Sequence, residues 1–158
     1  MKSILKLFLV CISAFFLSCA YADHTRLSPV GYWQTLDDVT GKPNSILHIY
    51  QAENILYGKV VKAFPLPGQD PSGICKACKG SKHNQRIVGM VIMQGLTQST
   101  SNPAEWSGGE ILDPVNGKTY RCSLTVVNKG NTLNARGYIG ISLFGRTQTW
   151  QRVNSTES

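Results

Sequence analysis

Lys118-Thr119-Tyr120-Arg121-Cys122-Ser123-Leu124-Thr125-Val126-Val127 alternates apolar and polar residues more strictly than any other stretch of this 158-residue chain. Tyr120, Cys122, Leu124 and Val126 share one face and Thr119, Arg121, Ser123 and Thr125 the other, a period of two that belongs to a β-strand with one dry side. Cys122 is therefore expected to point inward. Working outward, comparable short segments lie near residues 31–36, 44–51, 54–63, 86–96, 104–112, 131–139 and 146–153, separated by Gly, Asn, Asp and Pro. No apolar stripe of helical period persists for three turns. The third segment is ambiguous: Leu56, Val60 and Phe64 mark one face, but Ile55, Tyr57 and Val61 mark the other. Ala52-Glu53-Asn54, Asp113-Pro114-Val115-Asn116-Gly117 and Asn128-Lys129-Gly130-Asn131 are hairpin-length turns that pair sequential neighbours. The chain reads as all-β, a small antiparallel up-and-down barrel of about eight strands, the number at which a meander can close.

The start of the chain has a different character. Lys2 and Lys6 precede the apolar run Leu7 to Leu17, and Ala20-Tyr21-Ala22 is a small-x-small cleavage site. Residues 1–22 are expected to be a signal peptide, residues 23–153 a single β-domain in the periplasm or secreted, and residues 154–158 a disordered tail. A lipidated Cys19 is the rival reading, and Phe16-Leu17-Ser18 fits it poorly. The run is too short for a permanent span, which argues against an integral membrane protein. Cleavage takes 22 residues from 158, leaving 136, and removes Lys2 and Lys6, so the net charge falls from +7 to +5. In an exported chain that balance points to an anionic envelope component rather than to nucleic acid.

Three cysteines remain, Cys75, Cys78 and Cys122, so at most one intramolecular bridge forms. Cys75 and Cys78 sit in one oversized connection, Pro65 to Gln85, which also carries Lys76, Lys79 and Lys82 against Asp70 and is followed by Arg86. A connection of that length is usually functional. Cys75-x-x-Cys78 admits a redox pair, which needs a helix N-terminus in a βαβ setting, or a zinc site, which needs His83 and then Cys122 or His48. It also admits a structural disulfide, or a bridge from either cysteine to Cys122. Loop-closure entropy favours the long bridge, about 4 against about 2 kcal/mol. The inward position of Cys122, where a free cysteine packs as a small hydrophobe, favours Cys75–Cys78. The expected pairing is Cys75–Cys78, pinching the loop.

Gly31-Tyr32-Trp33 opens the first strand, and Trp150-Gln151-Arg152-Val153 closes the last. This pairing resembles the ends of lipocalin-like, or calycin, barrels. The resemblance implies that Trp33 plugs one end while Arg152 packs over its ring, an arrangement worth about 0.5 to 2 kcal/mol. The run Gly137-Tyr138-Ile139-Gly140-Ile141-Ser142-Leu143-Phe144-Gly145-Arg146-Thr147-Gln148-Thr149-Trp150 is the most distinctive string. With Pro29-Val30-Gly31-Tyr32-Trp33, Leu56-Tyr57-Gly58-Lys59, Cys75-x-x-Cys78-Lys79-Gly80 and Trp106-Ser107-Gly108-Gly109, it resembles the exported bacterial family termed domain of unknown function 2147. The resemblance spans roughly Ser28 to Val153. It implies an exported small β-domain and no particular activity.

Gly137, Gly140 and Gly145 read as bends or bulges, since no helix follows to make a phosphate cradle. His24, His48 and His83 are scattered and no hydrolase or metalloprotease motif is present. Asp37-Asp38 reads as a turn. No cofactor or metal is expected, and an enzyme is a third reading that needs His83 or His48 beside a carboxylate and a thiol within hydrogen-bond reach. The expectation is a binding module for a small apolar or amphipathic ligand, with Trp33, Tyr57, Tyr120, Lys76, Lys79, Lys82 and Arg86 as candidate contacts and Trp33, Trp150, Arg152 and the three glycines as structural residues. The alternative is an envelope-interaction or structural protein using the basic loop 75–86.

Overall fold

The alternation at residues 118–127 becomes β6 (Lys118–Val127), with Cys122, Leu124 and Val126 buried and Thr119 and Arg121 turned to water. The computed structural model describes residues 27–37 and 39–155; the expected signal peptide, Asp38 and residues 156–158 lie outside the described residues. Around β6 run β1 (Gly31–Leu36), β2 (Pro43–Ala52), β3 (Ile55–Ala63), β4 (Val91–Gln98), β5 (Glu105–Asp113), β7 (Thr132–Tyr138) and β8 (Arg146–Val153). They form a closed antiparallel barrel in chain order. The seam pairs Tyr32 with Val153, Trp33 with Arg152 and Gln34 with Gln151. Closure leaves no unpaired sheet edge. Among the described residues no helix is long and apolar enough to cross a membrane.

Up-and-down order divides the connections between two ends. β1–β2, β3–β4, β5–β6 and β7–β8 join at one end, while the other receives the remaining hairpins and the chain's entry to β1 and exit from β8. This second end is closed. Trp33 is fully buried there, its indole N–H donating to the Pro29 carbonyl at 2.7 Å. The Arg152 guanidinium lies 4.2 Å over the Trp33 ring, as the calycin resemblance implies. It donates to the carbonyls of Ser28 and Val30, each at 2.8 Å, and to that of Gly130. Leu47, Ile49, Leu56, Met93, Leu96, Leu124 and Leu133 form the core with Trp33.

One expectation needs correction, and one ambiguity is resolved. The fourth strand begins at Val91, not residue 86, because Gly89 takes a left-handed φ of +95° and the preceding residues pair elsewhere. Arg86 bridges Ile74, and Ile87 N–H donates to the Gly73 carbonyl, so the connection runs from residue 64 to 90. In β3 a bulge opposite Ile46/Leu47 shifts the phase. Leu56, Gly58 and Val60 are buried, and Phe64 falls beyond the end of the strand.

Candidate functional site

Opposite the Trp33 plug the barrel stays open, and a cavity of about 400 Å³ enters between the strands. Leu47, Ile92, Leu112, Cys122, Ala135 and Trp150 line its apolar floor. Asp37, Asn44, Ser45, Asn116, Arg146 and Gln148 form a polar rim, and Tyr120 stands on the wall between the two. The polarity gradient follows from the strands themselves: inward positions on β6 pass from Leu124 through Cys122 to Tyr120, and on β8 from Trp150 through Gln148 to Arg146.

The rim is braced by its own hydrogen bonds. Asp37 accepts from the Thr40 hydroxyl at 2.7 Å and the Thr40 and Val39 amides at 2.8 and 3.2 Å. Those bonds, led by the hydroxyl and helped by the Arg146 charge, hold its carboxyl below the usual range. Asn116 donates to Asp113 at 2.7 Å and to the Tyr120 hydroxyl at 3.1 Å. Trp150 donates to Gln148 Oε1 at 2.9 Å, and the Thr35 and Ser45 hydroxyls meet at 2.8 Å. On the floor, burial pushes the Cys122 thiol up to about 12. A thiol that keeps its proton is a packing group and a poor nucleophile.

The long connection runs along this rim. Cys75 and Cys78 form a disulfide, so neither offers a thiolate for the zinc set, and His83 Nδ1 lies 3.0 Å from the Cys78 carbonyl oxygen. The pinched segment does not stand free of the wall, because both half-cystines are buried in the main core cluster. Cys75 Sγ packs 3.2 Å from the Pro114 carbonyl oxygen. Gly117, at φ +70°, passes so close to the Ala77 carbonyl that a Cβ there would overlap it. The disulfide thus rests on the β5–β6 turn.

The candidate contacts separate in space. Tyr120 lines the cavity. Trp33 is at the closed end, away from it. Tyr57 projects from the outer wall, stacked 5.6 Å from Tyr50 in a row continuing through His48 to Tyr32. Burial and the Lys59 charge hold His48 below its ordinary pKa. Lys76 pairs with Asp70 at 2.6 Å, and that bond, with the Ser72 amide, draws Asp70 down to about 2. Lys79 and Arg86 are exposed and Lys82 half-buried; Gln69 is the long connection's contribution to the cavity. Gly137 lines the cavity wall, Gly140 adopts φ +75°, and Gly145 abuts the Gly137 carbonyl. Sequence reasoning missed Arg146 and Gln148 as rim residues. Reading β8 with a period of two from Trp150 finds both.

The model of the bacterial family described as "Uncharacterized protein conserved in bacteria", DUF2147, matches residues 31–152. The chain belongs to that family. The solved structure of protein HP1028 from Helicobacter pylori, described as belonging to the lipocalin family, is 20% identical. The match covers 82% of this chain and 86% of that one with a TM-score of 0.66, which establishes a shared lipocalin-like barrel for this DUF2147 member. No curated protein matches the sequence.

Proposed function

We propose that this DUF2147 protein is an exported binding module that takes the apolar part of a small amphipathic ligand into the open end of its barrel. The cavity carries the reading: an apolar floor beneath a polar rim, at about 400 Å³, falls in the size range of small-ligand sites. A polar head would meet Tyr120, Gln148 and Arg146, and a tail Leu47, Ile92 and Trp150. Export is part of the proposal, supported by the pattern of residues 1–22 and by a disulfide, a bond that persists in oxidising compartments.

The test is uptake of N-phenyl-1-naphthylamine by the oxidised protein, followed by displacement with single-chain lipids of graded length. Gly137→Leu is the control, because a Cβ at Gly137 meets only Tyr120 Cβ, at an ordinary 3.7 Å, so a larger side chain reaches the cavity without a backbone clash. Probe affinity should fall about tenfold, the size of one lost side-chain burial, with the melting temperature little changed. Equal uptake by Gly137→Leu, or none by the native protein, rejects the proposal. The alternative of an envelope contact through loop 75–86 draws on Lys79 and Arg86, which are exposed and do not line the cavity. It requires binding to anionic envelope material that salt abolishes without any probe uptake.

A further inference from the structure

Eight large apolar side chains are exposed among the described residues, and seven of them lie on the connections at the cavity's end. Ile139, Ile141, Leu143 and Phe144, 60 to 79% exposed, occupy the short β7–β8 connection. Val115 tips the β5–β6 turn, Val39 the β1–β2 turn, and Val88 belongs to the long connection; Val30 alone is at the closed end. Four separate connections therefore bring apolar groups to one rim.

The β7–β8 connection has a defined shape. Arg136, on the outer face of β7, donates to the Ser142 carbonyl and hydroxyl, the Leu143 carbonyl and the Thr147 hydroxyl. Phe144 N–H closes on the Ile141 carbonyl at 3.3 Å and Gly145 N–H on the Ser142 carbonyl at 3.0 Å. A fixed backbone thus holds Leu143 and Phe144 out in water, where contiguous apolar surface marks an interaction site. The outer wall instead carries Lys59, Gln94, Glu110 and Arg121 beside the half-buried Tyr32–Tyr57 aromatic row, so the exposed large apolar side chains gather at the rim.

Charge selects the occupant. The long connection adds Lys76, Lys79, Lys82 and Arg86 against Asp70 at this end, and Arg146 stands at the rim with Asp37 and Asp113, so cations remain in excess there. Two copies meeting rim to rim would bring those cations together, an unfavourable juxtaposition. An anionic bilayer takes both features at once, cations among headgroups and apolar side chains at the acyl boundary. Resting on the ligand reading above, we propose that the open rim docks on an anionic lipid bilayer through the Ile139–Phe144 connection, placing the cavity mouth where an amphipathic ligand can pass directly to or from the membrane.

Co-sedimentation of the protein as it stands after loss of residues 1–22 with vesicles of phosphatidylcholine and phosphatidylglycerol tests it, since the apolar run Leu7 to Leu17 would otherwise partition on its own. Native protein should pellet with the vesicles, and combining Leu143→Ser with Phe144→Ser should weaken partitioning about a hundredfold, since two large side chains lose their burial. The melting temperature should hold, because both side chains are exposed. Equal partitioning by the variant, or no partitioning by the native protein, overturns the proposal. So does a dimer, seen by sedimentation velocity without vesicles, that the same substitutions dissolve. Probe uptake measured without vesicles reports on the cavity separately: the variant should retain it, and its absence from native protein rejects the ligand reading while the vesicle result still decides docking.

Discussion

Cys122 shows what one inward position on a strand entails. Its neighbours on β6 alternate from Thr119 to Val126, so its burial was legible from that strand alone. That burial carries a pH dependence. The folded thiol holds its proton up to about 12, against an ordinary value of 9.0, so between those limits the unfolded chain binds fewer protons than the folded one. Stability from this residue is complete below about pH 9 and falls as pH rises, by about 1.4 kcal/mol per unit at most. Cys122→Ala costs packing at every pH but lacks this slope. The stability gap between native protein and variant should therefore narrow as pH climbs above 9, in urea unfolding followed across the alkaline range. A gap that stays constant means that the folded thiol ionises as freely as the unfolded one.

At the level of elements, the long β3–β4 connection and the β5–β6 turn act as one unit because the disulfide segment rests on Gly117. Gly117→Ala meets both a positive φ and the Ala77 carbonyl, and should cost about 3 kcal/mol. Gly41→Ala, at a similar φ of +67° with nothing within 4 Å, should cost about 1 kcal/mol. Denaturant unfolding of both separates the contact from the backbone strain, and equal losses would show that the segment does not bear on the turn. Cys75–Cys78 was legible because the alternative thiol was already placed in the core. The seating of the loop was not, since it depends on a contact between segments about forty residues apart. The facing of Tyr57 was also hidden. Both sides of β3 are apolar in sequence, and which of them turns inward at Tyr57 is fixed by its register opposite Tyr50 on β2, which β3 alone does not encode.

For the whole molecule, closure depends on a seam of only three residue pairs, and Arg152 supplements it by joining β8 to the segment before β1 and to the β6–β7 connection. Arg152→Lys keeps the charge but cannot serve three carbonyls in divergent directions. It should cost about 2 kcal/mol by leaving acceptors without donors. Unchanged unfolding by calorimetry would mean that strand pairing alone holds the seam. The closed barrel could be read from eight short segments, and its Trp33–Arg152 end was implied by the calycin resemblance of the two terminal motifs. Whether the interior was filled could not, because alternation tells which side chains face inward but not how far they reach across. Small Ala135 and Gly137, and an outward Tyr57, leave the space that larger inward residues would have occupied. Because the described chain both enters and leaves beside Arg152, Leu27 and Ser155 lie at the sealed pole. A dye or affinity handle attached at Ser155 would start from that side, so immobilised protein would present its opposite pole unobstructed.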